Sequence, residues 1–308
     1  MSTHTYEEQI YTGLQEAYER SLADPATQFT LDLSASQSKY IIFSDQHKGA
    51  RDGADDFLRS ERAYNAALAY YYHQGHTLVT LGDVEELWEE RIPTVLQAYQ
   101  HTLMLESKFN AHGRYLRLWG NHDDDWQYPE QVQRHLDPIY TQGGGTPLQV
   151  HEGVRLLVQT NGQALGTIFL AHGHQGTLNS DRFASLSKFF VRHFWRPFQR
   201  LTNFKSTTPA NDWVLREKHN VAMYQWAASH ERLVLIAGHT HRPVFESRTH
   251  ADEIYQELMV ILEQLAADPT NQPLRQLAAE RNAELEWIRA QNAQPPGMEG
   301  EPGHHQPA

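Results

Sequence analysis

The chain has 308 residues, a formal net charge of −12 and no cysteine. This length holds one large α/β domain with appendages or two domains, and the share of apolar residues, 40%, suffices for a real hydrophobic core. The acidic balance argues against wholesale electrostatic binding to nucleic acid, so we expect no nucleic-acid partner. The missing cysteines exclude a disulfide framework and thiolate ligands for a metal.

Targeting and membrane-spanning segments are not evident in the sequence. Residues 1–20 carry several acidic side chains and lack the apolar core of a signal peptide. No apolar run approaches the roughly 20 residues that span a bilayer. Together with the missing cysteines, this predicts a cytoplasmic protein, at most peripheral to the inner face of the membrane.

The first elements alternate between helix and strand. Apolar residues recur every four positions from Ile10 to Leu22, which predicts an amphipathic helix within residues 1–30, ahead of the core. Residues 40–43 and 77–81 read as strands, and residues 57–72 between them read as a helix. Such alternation is typical of a sheet layered with helices, in a domain that we place at residues 31–248.

The pattern changes after Tyr128. The glycines at 143–145 predict a turn, and the β-like segments 148–151, 154–159 and 167–171 predict antiparallel strands of a second sheet. An aromatic and basic stretch then opens a predicted helical lid insert, residues 181–230, which includes a helix over 213–228. Residues 233–237 read as the last strand.

The C-terminal part reads as helical. Residues 249–293 carry apolar side chains at helical spacing and predict a helical hairpin, and the same spacing is compatible with homo-oligomerisation. Residues 294–308 are rich in Pro, Gly and polar groups, which predicts a disordered tail.

Five short polar motifs each follow an apolar run that reads as a buried strand. In an open α/β sheet, ligands gather outside the carboxyl ends of the strands, so we expect the motifs to converge. Any one of them alone is typical of a loop, but five in order predict one metal site. The motifs are Asp45-Gln46-His47, Gly82-Asp83, Gly120-Asn121-His122-Asp123, His172-Gly173-His174 and Gly238-His239-Thr240-His241.

The motifs supply the ligand types that a pair of divalent cations needs. Such a pair takes a bridging carboxylate, with neutral imidazoles and oxygens that leave room for water and substrate. Asp83 follows a glycine that lets the backbone come close, and we predict that it bridges. This mixed nitrogen and oxygen set suits Mn, with Fe or Zn as alternatives, better than Ca. The other candidate ligands are Asp45, His47, Asn121, His172, His239 and His241, with His174 as a further histidine of its motif.

The series from Asp45 to His241 resembles the motifs of the calcineurin-like metallophosphoesterases, over residues 39–243. The resemblance implies a four-layer αββα sandwich and a dinuclear metal centre. It also implies a ligand set for each ion. One ion would take Asp45, His47, Asp83 and His241, and the other would take Asp83, Asn121, His172 and His239.

A dinuclear centre predicts hydrolysis of a phosphoester or pyrophosphate bond by metal-activated water. The leaving oxygen then needs a proton. His122, beside the candidate ligand Asn121, is placed to supply it, with Asp123 orienting the ring. Glu85 and Glu86 are candidates for further metal ligands, but we interpret them as part of the first turn of a helix, where acidic residues interact favourably with the helix dipole.

Two basic features are candidate substrate contacts. Arg51, in the loop after His47, could contact a phosphate, although a solvated arginine explains it as well. Lys188, Arg192 and Arg196 recur every four residues beside an apolar stripe, as in an element that meets an anionic ligand or a membrane surface. A helical cap whose basic residues face water is the other interpretation.

The insert is similar to the helical lid of the UDP-2,3-diacylglucosamine pyrophosphatases, a branch of the same superfamily. The chain departs from that branch at His122, where the branch has an arginine, and in the residues after His172. We therefore carry over the lid over the metal site as an expectation, but not the substrate of that branch. The lid favours a small phosphorylated substrate that is amphiphilic, lipid-linked or nucleotide-linked, and a plain phosphomonoester competes with it. The alternatives are a nuclease or phosphodiesterase of the same fold and a noncatalytic metal-binding scaffold.

Overall fold

The computed structural model describes residues 5–35, 38–177, 213–241 and 250–292. Within these residues the chain forms an α/β fold with two four-stranded sheets, as the sequence predicts. It divides into two compact units, Met1–His241 and Arg242–Ala308.

The elements are numbered in chain order. The strands are β1 (Gln28–Asp32), β2 (Tyr40–Phe43), β3 (Thr77–Leu81), β4 (Tyr115–Leu118), β5 (Val150–His151), β6 (Gly153–Thr160), β7 (Gln163–Ala171) and β8 (Leu233–Ile236). The helices are α1 (Tyr6–Ala23), α2 (Glu61–His73), α3 (Ile92–Ala98), α4 (Gln100–Ala111), α5 (Pro129–Gln131), α6 (Asp137–Tyr140), α7 (Trp213–Ala228), α8 (His250–Ala267) and α9 (Gln272–Asn292). Short 3₁₀ or π turns occupy Pro25–Thr27, Phe57–Arg59, Asp124–Gln127, Val132–Leu136 and Gln142–Gly144.

The first sheet is parallel throughout, in the order β2-β3-β4-β5. Its inner strand β3 has consecutive buried residues from Leu78 to Leu81, as expected for a strand covered on both faces. β5 corrects a prediction, because residues 148–151 were expected in the second sheet, whereas Val150 pairs with Arg117 of β4. An apolar run indicates that a strand forms but carries no information on its neighbour.

The second sheet is mixed, in the order β1-β6-β7-β8. β6 and β7 form the predicted antiparallel hairpin, which turns at Asn161 and Gly162, both with positive φ. β8 runs parallel to β7, so their carboxyl ends lie at the same edge of the sheet. β1 adds an edge strand parallel to β6, in a segment for which no strand was predicted.

Hydrophobic clusters join the layers of the first unit. Between the two sheets lie side chains of β3, β4 and β6, among them Leu81, Leu118 and Leu156. Helices α2 and α4 pack on the parallel sheet, and α1 and α7 pack on the mixed sheet. Each large apolar side chain that is fully buried in this way contributes about 1.5–3 kcal/mol.

The predicted N-terminal amphipathic helix forms as α1. Thr5 and Glu8 cap its first turn reciprocally in a capping box. Ile10 and Leu14 are fully buried in the cluster on the mixed sheet, whereas Leu22 is 52% exposed. The helix is therefore a layer of the first unit and not an appendage ahead of it.

The second unit contains α8 and α9, which occupy the stretch predicted to be a helical hairpin. Ile254, Leu258, Leu285 and Ile288 form its hydrophobic cluster. None of the helices described combines the length with the apolar character that a membrane span requires.

Part of the predicted insert is described. The helix predicted over residues 213–228 forms as α7. Lys188, Arg192 and Arg196 lie outside the described residues, as does the predicted tail at 294–308. The predictions for these residues remain predictions.

Candidate metal centre

Each predicted ligand lies in a loop that follows the carboxyl end of a strand. The loops after β2 and β3 pair, since His47 N donates to Asp83 O at 2.9 Å. The loops after β7 and β8 pair as well, with Gly238 N donating to His172 O at 2.9 Å. The ligands follow their strands in the order β2 to Asp45 and His47, β3 to Asp83, β4 to Asn121, β7 to His172, and β8 to His239 and His241.

The structure brings side chains of the motifs into three groups whose possible ligand atoms lie within 4.8 Å of one another. Two of them consist of predicted ligands only: the first is Asp45, His47 and His241, and the second is Asp83, His172 and His239. The third joins His47 and Asp83 to His122. Asp83 Oδ2 lies 3.1 Å from Nε2 of His172 and 3.8 Å from Nε2 of His47. Asp83 therefore contacts members of the first two groups, the position expected of a bridging carboxylate.

Five of the predicted ligands have a left-handed backbone conformation. Such a conformation costs free energy in a residue with a side chain, so it is concentrated where the surrounding structure imposes it, often at functional sites. These five are Asp45 (φ 55°), His47 (φ 49°), Asp83 (φ 51°), His239 (φ 70°) and His241 (φ 51°).

The glycine of the Gly120-Asn121 motif allows the loops to approach closely. A Cβ atom at Gly120 would lie 2.2 Å from Oδ1 of Asp83 and 2.7 Å from the ring of His172. Both atoms belong to side chains that are almost fully buried, so they have little room to move. The sequence pattern Gly-Asn therefore reflects a steric requirement of the centre.

The carboxylates of Asp83 and Asp45 are ionised in this environment. Burial opposes ionisation of Asp83, but the imidazoles of His172, His122 and His47 outweigh it and hold its pKa well below its ordinary value. Burial also opposes ionisation of Asp45, yet the hydrogen bond with His241 helps to lower its pKa. Burial disfavours the imidazolium of His172, but Asp83 raises its pKa to about 9.

One buried atom at a predicted ligand position, Oδ1 of Asn121, lacks a hydrogen-bond partner. An unpartnered buried polar atom costs about 1–3 kcal/mol, so it calls for a partner. A divalent cation would be such a partner for this oxygen. The residues present therefore fit a pair of divalent cations, with the mixed nitrogen and oxygen ligands that Mn, Fe or Zn accept.

His122 lies beside these groups and is held by Glu86. Its Nδ1 donates to Oε2 of Glu86 at 2.7 Å, and the same oxygen lies 3.2 Å from Nδ1 of His47. The indole of Trp88 stacks on the His122 ring at 5.1 Å between centroids. Burial opposes protonation of His122, but the Glu86 and Asp83 carboxylates outweigh it and raise its pKa to about 10.

Asp123 has a different role from the predicted one. Its carboxylate accepts hydrogen bonds from the backbone amides of Gly120 (2.6 Å), Asp83 (3.2 Å) and Val84 (2.9 Å). Burial raises its pKa to about 7. Asp123 therefore joins the loops after β3 and β4, and the carboxylate that orients His122 is that of Glu86.

The helix predicted to begin at Glu85 does not form. The loop after β3 continues to Arg91, and α3 begins at Ile92. Glu85 forms a buried ion pair with Arg117 and an isolated bridge with Lys48. The acidic pair therefore serves the centre and the core, since tertiary partners outweigh the weak preference of acidic residues for a helix start.

Arg51 pairs with a carboxylate in this structure, and its predicted contact with a phosphate stays a prediction. Its guanidinium binds both carboxylate oxygens of Glu61 at 2.8 Å, donates to the carbonyl of Ala98 at 3.2 Å, and stacks over the Tyr99 ring. A bidentate carboxylate pair is the geometry that a guanidinium prefers, which explains the choice of partner. The loop after His47 thereby gains an anchor to α2.

Sequence reasoning missed three residues of the centre. Glu86 and Trp88 follow Asp83 closely, and this proximity was a usable signal. His219 lies on α7, far along the chain, and its ring centroid is 5.1 Å from that of His239. No local pattern marks His219, because packing of α7 alone brings it there.

Comparison of the chain with protein-family models, with curated proteins and with solved structures found no match. Support for the centre therefore comes from its residues and their geometry.

Proposed function

We propose that this protein is a metal-dependent phosphoesterase of the calcineurin-like type, which hydrolyses a phosphoester or pyrophosphate bond. The observation that carries the proposal is the arrangement around Asp83. Asp83 belongs to two candidate groups, one with His172 and His239 and the other with His47 and His122. Glu86 fixes the ring of His122. A dinuclear phosphoesterase needs these parts in one place: ligands for two cations and a proton donor.

The layers of the first unit support the proposal. Helices α2 and α4, the parallel sheet, the mixed sheet, and helices α1 and α7 follow one another through three hydrophobic clusters. This order supports the expectation of a four-layer αββα sandwich, which the resemblance to calcineurin-like metallophosphoesterases implies. The ligands lie at the carboxyl ends of strands in both sheets, where such folds bind ligands.

The chain offers a ligand set for each of two cations. One set is Asp45, His47, Asp83 and His241, and the other is Asp83, Asn121, His172 and His239. When bound, two divalent cations supply charge neutralisation at phosphoryl oxygens and lower the pKa of water.

His122 supplies the proton that the leaving oxygen needs. The carboxylates of Glu86 and Asp83 raise its pKa to about 10, which favours the imidazolium that a proton donor needs. Glu86 fixes which ring nitrogen faces away from the carboxylate, because Nδ1 is engaged and Nε2 remains for the substrate. Trp88 limits the ring to one plane by stacking.

The proposed substrate is a small phosphorylated molecule that is amphiphilic, lipid-linked or nucleotide-linked. Cytoplasmic location, peripheral contact with a membrane through the basic aromatic insert, and association through α8 and α9 complete the proposal. These points come from the sequence pattern of the insert and from the apolar spacing of the C-terminal helices.

The proposal is tested by hydrolysis of p-nitrophenyl phosphate and bis(p-nitrophenyl) phosphate with and without manganese. We expect metal-dependent turnover in the parent chain, abolished in Asp83→Ala and reduced only modestly in His122→Ala, because p-nitrophenolate leaves without a proton. The control is His101→Ala, which removes an exposed histidine on α4 and leaves turnover unchanged.

The outcome also separates the alternatives. A strong preference for the bis-ester favours a phosphodiesterase or nuclease of the same fold. Metal binding without turnover of either ester, or turnover that survives Asp83→Ala, contradicts the proposed hydrolase and favours a metal-binding scaffold.

A further inference from the structure

Both polar backbone groups of Gly173, the N–H and the carbonyl, form hydrogen bonds with side chains. Gly173 lies directly after the candidate ligand His172, at the end of β7. Its N–H donates to Oε1 of Gln175 at 3.1 Å, and its carbonyl oxygen lies 2.7 Å from Nε2 of His219 on α7. The backbone that carries His172 is therefore tied to a helix that supplies no predicted ligand.

The hydrogen bonds define the state of His219. A carbonyl oxygen can only accept, so Nε2 of His219 carries the proton that it donates to Gly173. In the neutral ring with the proton on Nε2, Nδ1 is an acceptor. Tyr6 Oη lies 3.1 Å from this Nδ1 and donates to it, and burial raises the pKa of Tyr6 to about 12.

Helix α1 also touches the same loop through its backbone. A Cβ atom at Gly176 would lie 2.0 Å from the carbonyl oxygen of Gln9, and one at Gly13 would lie 2.4 Å from Gly176 N. This close approach accompanies the burial of Ile10 in the cluster that α1 shares with α7. The first turns of α1 thus lie directly on the loop that carries His172.

We propose that Tyr6 and His219 are positioning residues for the ion held by Asp83, Asn121, His172 and His239. They act in series, from Tyr6 on α1 to His219 on α7 and from His219 to the Gly173 carbonyl. The N-terminal helix thereby supports one of the two cation sites. This inference rests on the proposed function insofar as that function requires two cations.

The physical reason is geometric. The Nδ1 atom of His172 already binds the Leu81 carbonyl at 2.9 Å, so Nε2 faces Asp83. The direction of Nε2 then depends on the backbone after β7, which the hydrogen bond from His219 holds. Loss of a group that orients a metal ligand typically lowers metal affinity about 10–100-fold.

The test is titration of the full metal-free chain with manganese by isothermal calorimetry, which does not depend on catalysis. In His219→Leu we expect one of two binding events to weaken about 10–100-fold while the other is unchanged. Tyr6→Phe should weaken the same event by a smaller factor. His219→Gln, whose side-chain amide can still donate to Gly173, should restore most of the affinity.

The matched control is Tyr11→Phe. Tyr11 Oη bonds Ser229 Oγ at 2.9 Å, so this variant also removes a hydroxyl contact between α1 and the end of α7. It leaves the loop after β7 untouched, and we expect parental affinity for both ions. Amide exchange adds a second readout, because binding of manganese should slow exchange in α1 of the parent and less so in Tyr6→Phe.

The outcomes distinguish the two proposals. Suppose that the parent shows two binding events and that Tyr6→Phe, His219→Leu and Tyr11→Phe all bind both ions with the parental affinity. This result would overturn the positioning role and leave the proposed phosphoesterase standing. Equal weakening of both events in His219→Leu would also overturn it, since general destabilisation would then explain the loss. A parent chain that binds no manganese would overturn both.

Discussion

At the scale of single residues, the candidate metal centre includes side chains that contact the candidate ligands as well as the candidate ligands themselves. Glu86 shows this best, since one of its oxygens is shared between His122 and His47. A carboxylate in this place couples the proposed proton donor, His122, to a candidate metal ligand.

The first prediction concerns proton donation. His122→Ala should lower kcat about 10²-fold or more on the phosphate ester of an aliphatic alcohol, because that leaving group requires a proton. It should lower kcat far less on p-nitrophenyl phosphate, since p-nitrophenolate leaves without one. Glu86→Gln should show the same pattern with a smaller loss. Measurement of kcat on both esters checks this.

Glu130→Gln, which changes an exposed carboxylate on α5, serves as the control and should behave as the parent. An equal loss on both esters in His122→Ala would argue that the ring maintains the site and does not transfer a proton.

The second prediction concerns Gly120. Gly120→Ala would place a Cβ atom 2.2 Å from Oδ1 of Asp83, so the Asp83 carboxylate must shift. We expect metal affinity to fall about tenfold or more, because disturbing the groups that orient a metal ligand typically costs this much affinity. Gly53→Ala is the control, since its Cβ would meet no atom within 4 Å. Parental affinity in Gly120→Ala would show that the loops adjust freely.

At the scale of elements, helix α4 anchors the loop that carries His47. Lys48, the next residue, is fully buried, and its ammonium donates to Glu106 of α4 at 2.6 Å. The hydroxyls of Tyr64 and Tyr140 donate to the same carboxylate at 2.9 Å and 2.6 Å. A buried carboxylate with this many donors is satisfied, and removal of its charge leaves the ammonium without a counterion.

The third prediction is that Glu106→Gln lowers the free energy of unfolding by about 3–5 kcal/mol at neutral pH, measured by urea denaturation. Burial alone would raise the pKa of Glu106. The charges of Lys48 and Arg117 outweigh this effect and hold the pKa below its ordinary value of 4.5. A carboxylate with a lowered pKa stabilises the fold above 4.5 and loses this contribution as pH falls through the lowered value. The difference between parent and variant should therefore shrink in acid.

Glu152→Gln provides the control for this substitution. Glu152 pairs with Arg20 at 2.8 Å, but the arginine side chain is 55% exposed, so the pair is screened by water. We expect a loss of less than about 1 kcal/mol. A comparable loss in the two variants would contradict the assignment of the Lys48–Glu106 pair as a buried anchor.

At the scale of the whole molecule, the candidate ligands and the C-terminal helices belong to separate compact units. Every candidate ligand lies between Asp45 and His241, within the first unit. The second unit has its own hydrophobic cluster, built from α8 and α9. Because the described residues of each unit include a hydrophobic cluster, we expect the first unit to retain its structure alone.

The fourth prediction is that a chain ending at residue 249 binds as many manganese ions as the full chain, with similar affinity. Metal content and calorimetric titration measure this, and the Asp83→Ala version of the shortened chain provides the negative control. Loss of binding on truncation would show that α8 and α9 contribute to the centre.

Much of the fold could be predicted because the relevant signals are local. Buried strands need consecutive apolar residues, and the strand predicted at 40–43 and the helix predicted at 213–228 form with those bounds. The Gly-Asn and Gly-Asp pairs mark strand ends, where the backbone turns sharply. Pairing between strands is not local, which is why β5 was assigned to the wrong sheet.

The sequence by itself determined the α/β class, the strands before the five motifs, and the candidate ligands from Asp45 to His241, since these depend on neighbours along the chain. Tertiary structure decided the partners. It paired Arg51 with Glu61, gave His122 to Glu86, set Asp123 on backbone amides, and brought His219 to Gly173. These choices depend on which charged or polar groups packing brings within about 3 Å of one another. That distance in space cannot be inferred from how far apart the residues are in the sequence.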